Sequence, residues 1–258
     1  MLIEADSLSV EINGCAILKG IGLFVEEPSF IAVAGPNGSG KTTLLRALMG
    51  ILPSRSRALS LCGVKVEGAS RKRISALVSY IPQIKEALPP LEVRHFLLFS
   101  RFPRRGFLSP YTKEDYRLIE ETATLLDCRN LLARTLDTLS GGELQRIMLA
   151  SALVQETPLI MLDEPTAFLD PNHRIETFEL LKQIQREAGK TILLVTHFIE
   201  YALNYAGRII ALKEGELLFD GSPDEMAHNR VIDALYDMPF NVMHHDKRYF
   251  VYPSEGCV

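Results

Sequence analysis

The sequence predicts an α/β fold: a mostly parallel sheet, preceded by an N-terminal antiparallel β subdomain and interrupted by an inserted helical subdomain. Three observations carry that prediction. Strand-like and helix-like runs alternate on both sides of the middle of the chain, which implies a parallel sheet with covered faces. A glycine-rich loop at 35–42 separates a short buried strand from a helix. From about 84 to 157 strand-like runs disappear and helical periodicity takes over.

Each element has a local reason. Residues 2–12 and 17–25 read as two strands joined by the turn Asn13-Gly14. Residues 29–34 form a short apolar strand, broken by Gly35-Pro36. A helix follows at 41–49, with Leu44, Leu45, Leu48 and Met49 as its apolar stripe. Residues 58–66 suit a hairpin around Gly63, and 78–81 a strand stopped at Pro82. Helical patterns cover 93–99, 113–126 and 143–155; in the last, Leu144, Ile147, Met148, Ser151 and Val154 share one face. Pro158 resets the chain to a strand at 159–163. A helix capped by Asp170, with Pro171 at its first position, then runs to Gly189. A strand at 191–196 and a helical turn through Tyr201 and Leu203 follow. Residues 208–212 and 216–220 pair over Glu214-Gly215. The expectation is one domain over 1–258, without internal repeats or low-complexity linkers.

Bulk properties narrow the function. The chain has 258 residues, enough to bury a large core, and its 47% hydrophobic and 23% charged content is that of an ordinary globular protein. A formal net charge of −4 argues against a nucleic-acid binder held by bulk charge. No apolar run of about 18 residues offers a membrane span, and the first residues lack the pattern of a signal peptide. Cys15, Cys62, Cys128 and Cys257 are widely spaced, with no CxxC pair, and read as reduced thiols.

The chemistry lies in three motifs. Gly35-Pro36-Asn37-Gly38-Ser39-Gly40-Lys41-Thr42 fits GxxxxGK[ST] between a strand and a helix, so a P-loop NTPase core is expected. Backbone N–H groups curl around phosphate oxygens there, and the helix N-terminus adds partial positive charge. Thr43 extends the site; Lys41 reaches the outer phosphates and Thr42 ligates Mg²⁺. Asp163 and Glu164 follow an apolar strand, where ligands of open α/β sheets collect. Asp163 is expected to hold Mg²⁺ through water, and Glu164 to polarise the attacking water. Between these motifs lies Leu139-Ser140-Gly141-Gly142-Glu143.

With that five-residue segment in that order, the chain resembles the nucleotide-binding subunit of an ATP-binding-cassette (ABC) transporter over nearly its whole length. The resemblance implies ATP as substrate and further roles. Tyr80-Ile81-Pro82-Gln83 matches the glutamine loop, so Gln83 touches Mg²⁺ and the attacking water. Leu169-Asp170 matches the loop that crosses to a second subunit, although Ala167 stands where serine is common. Thr196-His197 matches the switch histidine at the γ-phosphate. The resemblance also implies a head-to-tail homodimer, in which Ser140 and Gly142 of one copy close over ATP held by Lys41 and Thr42 of the other. A separate integral-membrane permease, a periplasmic or surface substrate-binding protein reached through it, and a location on the cytoplasmic face of the membrane complete what it implies.

Three softer features resemble the importer group for metal chelates (iron-siderophores, haem and cobalamin). They are the segment from Ser70 to Leu77 before the glutamine loop, Arg101-Phe102-Pro103 in the insert, and a short strand pair at about 241–253. Importers of bare zinc or manganese use similar cassettes, and a soluble ATPase of iron–sulfur assembly is a further alternative. A P-loop nucleotide kinase would leave Leu139 to Glu143 and His197 without a role. The basic runs Arg71-Lys72-Arg73 and Arg104-Arg105 read as solvated loop and helix-end charge. His244-His245-Asp246 is a weak metal candidate, because neighbours in a strand point to opposite faces. Where related cassettes stack adenine on an aromatic ring, the position falls at Ile12, an aliphatic contact without ring stacking. Base discrimination is therefore expected to be weak, with GTP hydrolysed as well as ATP; a strong preference for ATP in paired rate measurements would count against this.

Overall fold

A computed structural model describes residues 1–84, 88–105, 109–167 and 169–254. Cys257 and short parts of the expected insert, 85–87 and 106–108, lie outside the described residues. The chain begins with β1 (Ile3–Ile12) and β2 (Cys15–Val25). Asn13 and Gly14 between them both adopt positive φ (52° and 78°), as a two-residue turn between twisted strands requires. Next come β3 (Phe30–Ala34), α1 (Lys41–Leu48), β4 (Ala58–Leu61), β5 (Val64–Lys65), α2 (Arg71–Ser75) and β6 (Val78–Ile81). Helices α3 (Val93–Ser100), α4 (Phe102–Arg105), α5 (Lys113–Leu125) and α6 (Gly141–Val154) follow. Alternation resumes with β7 (Leu159–Asp163), α7 (Pro171–Ala188), β8 (Thr191–Val195) and α8 (Ile199–Tyr205). The order is completed by β9 (Arg208–Lys213), β10 (Glu216–Gly221), α9 (Pro223–His228), α10 (Val231–Tyr236), β11 (Phe240–His245) and β12 (Arg248–Pro253).

The N-terminal sheet is antiparallel, in the order β2-β1-β4-β5, and the central sheet runs β10-β9-β3-β8-β7-β6. Strands β9, β3, β8, β7 and β6 are parallel; β10 is antiparallel to β9. Every residue of β3, β7 and β8 is buried, so these strands read as unbroken apolar runs rather than as alternation. Ile31 and Val33 face the side where Leu44, Leu45 and Leu48 of α1 fill the gap to the N-terminal sheet. On the other face, Ile160, Leu162, Ile192 and Leu194 pack against α6 and Phe178 of α7. Phe178 is wholly buried and stacks on Tyr201 at 5.0 Å between centroids; burial of one such side chain is worth about 2 kcal/mol. The small Ala32 and Ala34 admit α8, α9 and α10 in a third cluster. No helix among the described residues is long and apolar enough to cross a membrane.

Elements that the sequence did not announce are short. The five-residue α2 and the six-residue α9 and α10 are too brief to display a 3.6-residue period. Helix α6 starts two residues before its expected position because Ser140, not a later residue, caps it. Arg104 is exposed helix-end charge, as expected, but it is not without partners. It donates to the carbonyls of Gln155 (3.1 Å) and Glu156 (2.5 Å), just beyond the C-terminal end of α6. Beside it, the buried Arg101 pairs with Asp115 (3.1 Å) and Glu156 (2.6 Å) and donates to the Val154 carbonyl. Arg105 also pairs with Asp115, at 2.6 Å. The cluster ties α4 and α5 to the end of α6 where carbonyls lack helical partners.

Burial of Asp115 by itself would raise its pKa. Hydrogen bonds from the Thr112 N–H, Arg105, Arg101 and the Thr112 hydroxyl outweigh that and hold the carboxyl at about 2. A depressed folded pKa stabilises the fold above the unfolded value of roughly 4, and that contribution is lost as pH falls toward 2. Asp115→Asn is therefore expected to cost about 3 kcal/mol at neutral pH and to flatten the stability profile between roughly pH 4 and 2. Thermal melts across that window check it; an unchanged acid limb would count against the pairing.

Candidate nucleotide site

Strand β3 delivers the chain into the 35–40 loop, where two glycines are dictated by space. Gly35 has φ +149°, and a Cβ on it would stand 2.2 Å from the Leu212 carbonyl oxygen. Gly40 has φ +99°, and its Cβ would meet Leu18 at 2.6 Å. Gly40 occupies the N-cap of α1 and offers no side chain, so the first-turn N–H groups are left for another acceptor. Asn37 and Gly38 form the exposed tip, while Thr43 is half-buried in the first turn of α1. The buried Ser39 hydroxyl has no hydrogen-bond partner among the described residues. Lys41 is buried, and its ammonium donates to the carbonyls of Gly35 (2.9 Å) and Pro36 (2.8 Å). Burial lowers its pKa, opposed by attraction to Glu164 and Asp163. The loop thus gathers a cation and unsatisfied donors around one point, the requirement for binding a polyphosphate.

Across the sheet, β6, β7 and β8 bring their carboxyl ends to the same point. The Thr42 hydroxyl donates to Asp163 Oδ1 at 2.8 Å. Tyr80 OH donates to Asp163 Oδ2 at 3.2 Å. Gln83 Nε2 donates to Glu164 Oε2 at 3.2 Å, and His197 Nδ1 lies 3.5 Å from the same oxygen. Glu164 has φ +50°, an uncommon conformation for a side-chain-bearing residue, anchored by its N–H to the Val195 carbonyl at 3.1 Å. Lys41, Thr42, Gln83, Asp163, Glu164 and His197, expected to cooperate, are thus brought together. Tyr80 is the residue to which the sequence assigned no role. Burial raises its pKa, and Arg46 works against that shift. Strand alternation from Val78 carried a signal, since it places Tyr80 on the face that α1 covers.

The segment from Leu139 to Glu143 lies elsewhere. Ser140 caps α6: its hydroxyl accepts from the Glu143 N–H at 3.3 Å, and Glu143 accepts from the Ser140 N–H at 2.8 Å. Arg134 pairs with Glu143 at 2.8 Å. Gly141 and Gly142 form the first turn of α6, and Leu139 packs partly into the helical cluster. No hydrogen bond or ion pair among the described residues joins 139–143 to the phosphate loop. Asp170 caps α7 as expected, accepting from the N–H groups of Asn172 (3.0 Å) and His173 (3.1 Å). Ile12, the expected base contact, is exposed at the end of β1. His244 stacks on Tyr249 at 4.7 Å, while His245 lies 3.3 Å from Asp246.

Comparison with known proteins identifies the family. The family model described as ABC transporter matches residues 18–167. The chain is 32% identical to a petrobactin import ATP-binding protein of Bacillus subtilis, covering 92% of this chain and 93% of that one. It is 29% identical to the ferric enterobactin transport ATP-binding protein of Escherichia coli, over 92% and 87% of the two chains. A solved metal-chelate type ABC transporter in an inward-facing conformation shares the fold with a TM-score of 0.85 at 21% identity, covering 99% of this chain and 98% of its own. The chain belongs to the ABC transporter family, as an ATPase subunit built on the mixed α/β fold of that family.

Proposed function

We propose that this chain hydrolyses ATP to energise import of a metal chelate, most closely an iron–siderophore, through a separate permease. The observation that carries the nucleotide chemistry is the convergence of Lys41, Thr42, Gln83, Asp163, Glu164 and His197 at the carboxyl ends of adjacent strands. The cargo class is supported by iron-chelate import relatives at about 30% identity over nearly the full length of both partners. In this reading the chain works as one domain, with a helical insert at about 84–157.

The proposed roles follow from the contacts. The loop from Gly35 to Gly40 wraps the β- and γ-phosphates with backbone N–H groups, and the Ser39 hydroxyl, without a partner among the described residues, and the uncapped first turn of α1 suit such an anion. Lys41 exchanges its loop carbonyls for phosphate oxygens. Thr42 Oγ1 and Asp163 Oδ1, 2.8 Å apart, together with the Gln83 side chain, are hard oxygen donors that fit Mg²⁺. Bound Mg²⁺ supplies charge neutralisation across the phosphate oxygens. Glu164 accepts a proton from water as the water oxygen bonds to the γ-phosphorus and the bridging P–O bond to ADP breaks. Gln83 and His197 hold the Glu164 carboxylate in place, and His197 reaches the γ-phosphate.

Ser140 and Gly142 are read as serving ATP in a second copy, because their helix N-terminus does not meet its own phosphate loop. This makes the working unit a head-to-tail homodimer on the cytoplasmic face of the membrane, docked on permease subunits that receive cargo from a substrate-binding protein. An apolar cleft of about 420 Å³ beside the site, edged by Ile51, Ile74, Phe102 and Pro103, suits a permease segment. Lys41→Ala is expected to abolish ATP hydrolysis. Glu164→Gln is expected to retain ATP binding, slow turnover by at least about 100-fold and trap the dimer, which sizing with ATP would detect. Normal turnover in Glu164→Gln would overturn its role as base. Uptake of a labelled ferric siderophore by cells expressing the chain with its permease tests the cargo; co-purification with a soluble scaffold instead would reject transport.

A further inference from the structure

The segment from Leu139 to Glu143 and the Asp170 loop, described above as separate caps, are joined within the chain. Gly142 has ordinary helical backbone, so its conformation alone would admit any residue. With the His173 ring in its observed place, space does not: a Cβ there would fall 2.4 Å from Cδ2 and 2.8 Å from Nε2 of His173. The His173 ring is held in place by Asp170, whose Oδ2 lies 2.5 Å from Nδ1 while its Oδ1 caps α7. Leu169 sits at ordinary contact distance over Gly141, 3.6 Å from where a Cβ would be. One turn further along both helices, Arg146 of α6 pairs with Glu176 of α7 at 2.9 Å. The N-termini of α6 and α7 are thus connected by two successive rungs, the first an imidazole laid on a glycine.

We infer that His173 is a positioning residue that yokes the Ser140–Gly142 cradle to the Asp170 loop of the same chain. This rests on the nucleotide reading above and adds to it. When the cradle closes on the partner's ATP, the yoke carries this chain's Asp170 loop with it, so that both crossing segments arrive together. The lack of a side chain at position 142 is then demanded by His173 within the chain, apart from any demand made by phosphate.

A double-mutant cycle tests the contact by thermal melting without nucleotide. Gly142→Ala is expected to lower Tm by about 5 °C in the native background. In the His173→Ala background the same substitution becomes neutral or stabilising, since alanine favours a helix over glycine. Equal losses in both backgrounds would overturn the contact as the constraint. His173→Ala alone is expected to keep Tm and the ATP affinity of the separate chain, while kcat falls about tenfold at unchanged KM, the signature of misplacement rather than weakened binding. His173→Gln, which retains a donor toward Asp170, recovers part of kcat, and Arg146→Ala reproduces a smaller loss through the second rung. Normal kcat in His173→Ala, or a loss that follows Tm and ATP affinity, overturns the yoke. Hydrolysis persisting in Lys41→Ala would instead reject the nucleotide reading, so the two failures are distinguishable.

Discussion

The architecture depends on the absence of atoms at two points of the phosphate loop. Gly35 lies against the Leu212 carbonyl of β9, and Gly40 against Leu18 of β2. The loop is therefore pinned between the central sheet and the N-terminal sheet, and α1 leaves it at an angle that both sheets accept. Leu44, Leu45 and Leu48 then fill the space that this angle creates. A methyl group at Gly35 would displace backbone rather than a flexible side-chain end, and the close packing of the interior gives it nowhere to go.

Two kinds of polar construction coexist. At the site, Asp163 accepts one hydrogen bond on each oxygen, from Thr42 and Tyr80, and Glu164 accepts one from Gln83, which leaves lone pairs unused. At the start of α5, Asp115 takes four contacts from Thr112, Arg101 and Arg105, three of them on Oδ2. The first arrangement keeps acceptor positions open, and the second is a fastener. Charge count alone would not separate them, whereas the number of unused acceptor positions does.

Legibility in the sequence followed length and glycine. Strands β3, β7 and β8, the turn at Asn13-Gly14 and helix α7 between Asp170 and Gly189 were readable, because continuous apolar runs, turn dipeptides and caps are local signals. The phosphate loop and its acidic strand end were readable for the same reason. Helices α2, α9 and α10 were not, although Ser70 and the Ser222–Glu225 capping box marked two of their starts. The partners of Arg104 were not legible, because the carbonyls of Gln155 and Glu156 lie some 50 residues away and carry no side-chain signature. His173 was passed over for a similar reason: its partner, Gly142, is defined by what it lacks.

The left-handed backbone of Glu164 has an evolutionary consequence. Asparagine and glycine occupy that region at lower cost than glutamate, so substitution at this position relaxes the backbone while removing the carboxylate. If Glu164 is the base proposed above, the residue that the chemistry requires at the carboxyl end of β7 is thus not the one that its backbone conformation favours.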